Sequence, residues 1–131
     1  VPGAANFLKS LPANQWAIVT SAPKALALRR MAAAGIPQPL VMVTAEDVSA
    51  GKPDPAGYRL AAKRLGVEPA DCLIFEDATV GILAAEAAGA NLIVVTATHD
   101  HPLQTPHATL ASYDSVEARK DADGLIRLTK I

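Results

Sequence analysis

The chain lacks the features that mark several protein classes. It has one cysteine, Cys72, in 131 residues, which excludes an internal disulfide framework and fits a reducing cytoplasm. Only five residues are Phe, Tyr or Trp, too few for a base-stacking surface. Charge is sparse and balanced, with 12 Lys plus Arg against 13 Asp plus Glu and a net charge of -1. With no Lys/Arg block to neutralise phosphates, a nucleic-acid partner is excluded. Apolar runs end after about four residues, whereas a membrane helix needs about 20, so a membrane partner is excluded too. No signal-peptide pattern of charged, apolar and small-residue regions occurs.

What is present is small and apolar. Half of the residues are hydrophobic and 27 are alanine. That much apolar side chain offsets the ordering entropy, so intrinsic disorder is excluded. The length suits one domain with a real core. Alanine at this level favours helices packed closely on a sheet.

Helical stretches alternate with short apolar runs. Helices are predicted over Ala4–Leu11, Pro23–Ala34, Pro55–Leu65 and Thr79–Ala88, with Gly35, Gly66 and Gly89 as stops. The runs Trp16–Val19, Leu40–Val43, Cys72–Phe75 and Leu92–Val95 read as strands buried on both faces, hence parallel. Right-handed βαβ crossovers would wind them into an open α/β sheet. A weak strand is expected near Ala108–Leu110. Asp121-Ala122-Asp123-Gly124 before Leu125–Leu128 signals a terminal hairpin.

Ligands of open α/β sheets bind beyond the carboxyl ends of the strands. The polar residues following the apolar runs are Thr20-Ser21, the loop Gly51-Lys52-Pro53-Asp54-Pro55 and Glu76-Asp77. Ser21 and Lys52 are 31 residues apart and Lys52 and Asp77 are 25 apart, about one βα unit each. Parallel winding would bring a hydroxyl pair, an ammonium and two carboxylates to one edge. Hydroxyls with an ammonium suit a phosphate or a carboxylate, and adjacent carboxylates suit Mg²⁺. Singly, each has an ordinary explanation as a helix cap, a solvated lysine or a complement to a helix dipole. Their co-occurrence at successive strand ends describes a phosphoryl-transfer site.

Other candidates are weaker. Gly51-Lys52 is not a P-loop, because position 46 is Glu and position 53 is Pro. His99, His101 and His107 lie in a loop without a Cys partner and read as solvated or supporting groups. Cys72 and Trp16 are expected in the core.

Ile18-Val19-Thr20-Ser21, Gly51-Lys52-Pro53-Asp54-Pro55 and Phe75-Glu76-Asp77-Ala78-Thr79-Val80-Gly81-Ile82 together closely resemble the haloacid dehalogenase-like (HAD) superfamily, in its sugar-phosphatase, glycerol-phosphatase and phosphoglucomutase branch. The resemblance spans nearly all of Val1–Val95 and implies a Rossmann-like core with a parallel sheet and flanking helices. It implies that Thr20 and Ser21 hold the phosphoryl group and that Lys52 offsets charge between phosphate and nucleophile. Asp77 would ligand Mg²⁺, with Glu76 helping. The implied function is a phosphatase acting on a small sugar or polyol phosphate. A phosphosugar mutase of the same superfamily is the alternative, and a non-catalytic module on the same fold is another.

The superfamily's first motif, Asp-x-Asp-x-Thr after the first strand, has no counterpart here. The single Asp-x-Asp, Asp121-Ala122-Asp123, precedes Gly124 in the terminal turn. Residues 1–131 are therefore expected to form a partial core domain, without the first strand and cap, and to need an N-terminal segment of the same protein. Val1-Pro2-Gly3-Ala4 resembles the point where such chains return to the core after an inserted cap.

Overall fold

The structure, a computed structural model, describes residues 3–96 and 106–130. Each apolar run becomes a strand: β1 (Ala17–Val19), β2 (Val41–Val43), β3 (Leu73–Glu76) and β4 (Asn91–Val95). The helices are α1 (Ala4–Lys9), α2 (Lys24–Ala33), α3 (Ala56–Leu65) and α4 (Thr79–Ala88). Beyond them lie β5 (Ala108–Leu110) and a hairpin of β6 (Val116–Lys120) and β7 (Ile126–Lys130). Gly66 and Gly89 end α3 and α4 at φ +76°, the left-handed conformation that only glycine adopts without penalty.

β1 pairs with β2 in parallel, with Ala17 opposite Val41. β3 pairs in parallel with β4, and β4 with β5. The expected parallel α/β class is present, but the strands form two hydrogen-bonded groups, β1-β2 and β3-β4-β5. Among the described residues, β1 and β3 each have a strand neighbour on one side only. That explains why β1 is only partly buried and why Glu76 is the one buried residue of β3, where continuous apolar runs predicted burial on both faces.

Helices join the two groups. α3 packs on β1 and β2, α4 packs on β3 and β4, and the helices touch each other. Their meeting point is a cluster of Tyr58, Ala84, Ala85, Leu92 and Val94, with Val19 of β1 and Ile74 of β3 packed against it. Ala84 and Ala85 are fully buried, so alanine is what allows α4 to approach the strands this closely. The N–H of Lys24, the first residue of α2, donates to both carboxylate oxygens of Glu46 at 3.2 and 3.1 Å. The cap of α2 therefore comes from the loop after β2, not from the Thr20-Ser21 hydroxyls.

Trp16 is buried as expected. Cys72 is not: it is half-buried, immediately before β3, with its Sγ 3.5 Å from the Glu68 carbonyl. Burial pushes its thiol up, with Asp71 adding to the effect, so it is no ready nucleophile. Phe7, Phe75 and Tyr113 form an aromatic cluster with centroids 5.3–5.7 Å apart, tying α1 to β3 and to the segment before β6. His107 lies 3.1 Å from Glu86 on the surface, while His99 and His101 lie outside the described residues. Asp121 Oδ1 accepts the N–H groups of Asp123 and Leu125, both at 3.0 Å, so the single Asp-x-Asp is indeed used in a turn. Among the described residues, no helix is long and apolar enough to cross a membrane.

Candidate active site

The loop from Gly51 to Pro55 carries Lys52 to the carboxyl ends of both strand groups. Its Nζ donates to the carbonyl of Val19, the last residue of β1, at 3.2 Å. It also donates to Glu76 Oε2, at the end of β3, at 2.9 Å. One side chain thus spans from one strand group to the other. With 15% of its side chain exposed, Lys52 is not a solvated loop lysine.

Glu76 is buried, and its carboxylate is saturated with donors. Oε2 accepts from Lys52 Nζ and from the hydroxyl of Tyr58. Oε1 accepts the N–H groups of Asp77 at 3.1 Å and Ala78 at 3.3 Å. Burial by itself would push the Glu76 carboxyl up, but the hydrogen bonds from Tyr58 and Lys52 and the Lys52 charge outweigh it and hold it below its ordinary value. It therefore stays ionised. Burial pushes the Tyr58 phenol up, as do the Glu76 and Asp77 carboxylates, so Tyr58 stays a donor. Lys52 Nζ also lies 5.1 Å from the centroid of the Tyr58 ring, within cation–π range.

The Glu76 carboxylate rests on the first turn of α4. A Cβ at Gly81 would fall 1.9 Å from Glu76 Cδ and 2.0 Å from Oε2. Gly81 is thus the part of the third motif that makes room for the buried carboxylate. A similar close approach occurs at Gly57, where a Cβ would be 3.0 Å from Val19 Cγ1. That contact lets α3 bring Tyr58 down beside β1.

A cavity of about 220 Å³ opens beside this cluster, with Thr20, Ser21, Gly51, Lys52 and Tyr58 among the residues lining it. The structure therefore brings three of the sequence-predicted residues to one cavity and links Lys52 directly to a fourth, Glu76. Thr20 Oγ1 accepts the Ala22 N–H at 3.1 Å, and its hydroxyl hydrogen has no acceptor among the described residues. Ser21 is exposed. Asp77 follows Glu76 beyond the end of β3, part-buried and outside the cavity lining. Asp77 also stands near Tyr113, whose phenol is pushed up to about 12, mainly by burial with the Asp77 and Glu76 carboxylates adding to it.

Among the described residues, no group of three or more His, Cys, Asp or Glu side chains could hold a metal by itself. Mg²⁺ needs less: it takes one or two carboxylates and completes its shell with waters and substrate phosphate oxygens. Asp77, just past the end of β3, would supply one such carboxylate.

Two parts of the site escaped the sequence reading. Tyr58 occupies an apolar position of a helix, and nothing in helical spacing separates a core tyrosine from one that anchors a carboxylate. Thr44, Glu46 and Asp47 form a second knot, in which the buried Thr44 donates its N–H to Asp47 at 2.8 Å and its hydroxyl lies 2.8 Å from Glu46. Its signal was a hydroxyl followed by two carboxylates immediately after β2.

Residues 1–89 match the family model described as haloacid dehalogenase-like hydrolase. The chain is 41% identical over 127 residues to hexitol phosphatase A of Escherichia coli (strain K12), covering 95% of this chain and 59% of that protein. It is 49% identical over 84 residues to validoxylamine A 7'-phosphate phosphatase of Streptomyces hygroscopicus subsp. limoneus, covering 63% of this chain and 39% of that protein. The chain thus spans about half the length of these curated relatives. Its fold is that of a HAD phosphatase from Thermococcus onnurineus, with a TM-score of 0.72 at 24% identity, covering 86% of this chain and 54% of the other. With the three motifs converging at the strand ends and the family matched over most of its length, the chain belongs to the haloacid dehalogenase-like hydrolases.

Proposed function

We propose that the intact protein is a Mg²⁺-dependent phosphoric monoester hydrolase acting on a small sugar or polyol phosphate through an aspartyl-phosphate. The aspartate would come from an N-terminal segment of the same protein, entering as a strand between β1 and β3. This chain is then a partial core domain that supplies the accessory half of the site. The observation that carries the reading is Lys52: a part-buried ammonium, bonded to both strand groups, at the wall of a cavity it shares with Thr20 and Ser21.

In this reading the Thr20 hydroxyl and the backbone N–H and hydroxyl of Ser21 take phosphoryl oxygens. Lys52 offsets the charge that the phosphate and the incoming aspartate bring together. Asp77 holds Mg²⁺, and Glu76 assists by fixing Lys52 beside it. Bound there, the metal would neutralise and orient phosphoryl oxygens. Positioned cations and donors are what phosphoryl transfer needs, because its transition state spreads negative charge over the equatorial oxygens. The names of the relatives, a hexitol phosphatase and a validoxylamine 7'-phosphate phosphatase, favour a hydroxyl-rich skeleton bearing one phosphate. A single cysteine, too few for an internal disulfide, fits a reducing cytoplasm.

The test is phosphate release by the intact protein, with and without Mg²⁺, from hexitol, hexose and glycerol phosphates. Metal-dependent release is expected, and the 131-residue chain alone should release none. Lys52→Ala should lower kcat/KM by about 100-fold or more, while Lys63→Ala on the exposed face of α3 should change it little. Equal small effects would overturn the role of Lys52. An isomerised phosphosugar without free phosphate would identify a mutase instead. No turnover, together with no upstream Asp-x-Asp-x-Thr, would identify a non-catalytic module.

A further inference from the structure

We propose that Tyr58 is a positioning residue for the proposed phosphoryl transfer, fixing the Lys52 ammonium by holding the Glu76 carboxylate from below and Lys52 itself from the side. The proposal rests on the functional reading of Lys52 given above.

Three contacts carry it. The Tyr58 hydroxyl donates to Glu76 Oε2, the same oxygen that accepts Lys52 Nζ. The other oxygen is pinned by the N–H groups of Asp77 and Ala78, so Tyr58 is the group that prevents the carboxylate from swinging about that pin. Nζ lies over the ring, 5.1 Å from its centroid, leaving the ammonium between carboxylate, ring and the Val19 carbonyl. Tyr58 is itself buried in the core cluster on α3, and it lines the cavity. A rigid ring on a packed helix gives the flexible lysine a fixed backstop. Without the hydroxyl, Oε2 is held by Lys52 alone, and the pair can turn together toward solvent. A shift of the ammonium by a fraction of an ångström to 1 Å is enough to weaken a contact made in the transition state.

The experiment uses the intact protein with Tyr58→Phe, which keeps the ring and removes the hydroxyl. The expected result is a fall in kcat of about 10-fold or more with KM nearly unchanged. Alongside it, the lysine ammonium resonances are observed by ¹⁵N NMR, with the Lys52 signal assigned by its loss in Lys52→Ala. Wild-type Lys52 should exchange its ammonium hydrogens slowly, and in Tyr58→Phe the exchange should become about 10-fold faster when both proteins are measured well below their unfolding transitions. A merely structural role for Tyr58 would lower the unfolding temperature and leave the exchange of the folded fraction alone. Unchanged kcat and unchanged exchange in Tyr58→Phe would overturn the proposal. So would a wild-type Lys52 ammonium that exchanges as fast as that of exposed Lys63, a result that does not depend on Tyr58→Phe folding. If Lys52→Ala itself leaves turnover intact, the functional reading of the site fails. If Lys52→Ala abolishes turnover and Tyr58→Phe is silent, only the assignment of Tyr58 fails.

Discussion

Two ion pairs in this protein are almost equally short, yet their surroundings are opposite. Lys52 and Glu76 meet at 2.9 Å with 15% and 9% of their side chains exposed. Arg127 and Asp121 meet at 2.7 Å in the terminal hairpin, with 71% and 19% exposed. The longer pair is the more consequential one. In water, side-chain entropy and screening cancel most of the attraction between charges. Out of water, each partner depends on the other, because a buried charge left alone is penalised heavily. The same contrast separates the carboxylates by use. Glu76 joins two strand groups and a helix, whereas Asp121 organises only its own hairpin, the turn and Arg127 of β7.

The sharpest way to break this comparison is to remove the buried acceptor. Glu76→Ala leaves the Lys52 ammonium and the Tyr58 hydroxyl facing a void where four donors had converged. Losing one partner of a buried pair costs about 3–5 kcal/mol, and denaturant unfolding of the intact protein should show a loss of that size. Loss of under about 1 kcal/mol would mean that Lys52 reaches water easily and that the pair behaves like the one in the hairpin.

This site also shows how far the sequence could be read. The four apolar runs became β1 to β4 within one or two residues, and the helices matched because Gly66 and Gly89 stop them by backbone conformation, a local property. The Asp-Gly turn gave the hairpin for the same reason. Thr20, Ser21, Lys52 and Glu76 could be named because parallel winding places successive strand ends on one side. What stayed hidden depends on which strands and side chains meet at long range. Apolar runs do not say which strands are neighbours, so by themselves they could not show the separation of β1-β2 from β3-β4-β5, which only the expected absence of a first strand hinted at. Tyr58 looks like any core aromatic until Glu76 is found beneath it. Glu46 looks like a loop carboxylate until the start of α2 is found against it.

Gly81 sharpens the comparison from the other side, through sterics rather than charge. In an isolated helix Gly→Ala should stabilise by about 1 kcal/mol, because alanine loses less backbone entropy. Here the added Cβ would lie 1.9 Å from Glu76 Cδ, and the carboxylate cannot withdraw without abandoning Lys52, Tyr58 and two backbone amides. Gly81→Ala should therefore destabilise by about 1–3 kcal/mol, the usual range for overpacking, as measured by denaturant unfolding. A neutral or stabilising effect would show that Glu76 leaves the helix without resistance, and the buried cluster would lose its claim to rigidity.

The smallest effect belongs to the hairpin. The Arg127 hydrogen bond, helped by the N–H groups of Leu125 and Asp123, holds the Asp121 carboxyl below its ordinary value. A carboxylate whose folded value is depressed contributes stability at pH above its unfolded value and loses it as pH falls through the folded one. Arg127→Ala should therefore lower the unfolding temperature of the intact protein by no more than about 2 °C at neutral pH. The difference from wild type should shrink toward zero as pH falls through and below the ordinary aspartate range, and also when salt is added at neutral pH. A drop at neutral pH as large as that caused by Glu76→Ala, or one that salt and acid leave untouched, would mean that exposure does not separate the two pairs. The hairpin would then have to be anchored by Arg127 through packing of its side-chain stem, a contribution that neither protonation of Asp121 nor salt would remove.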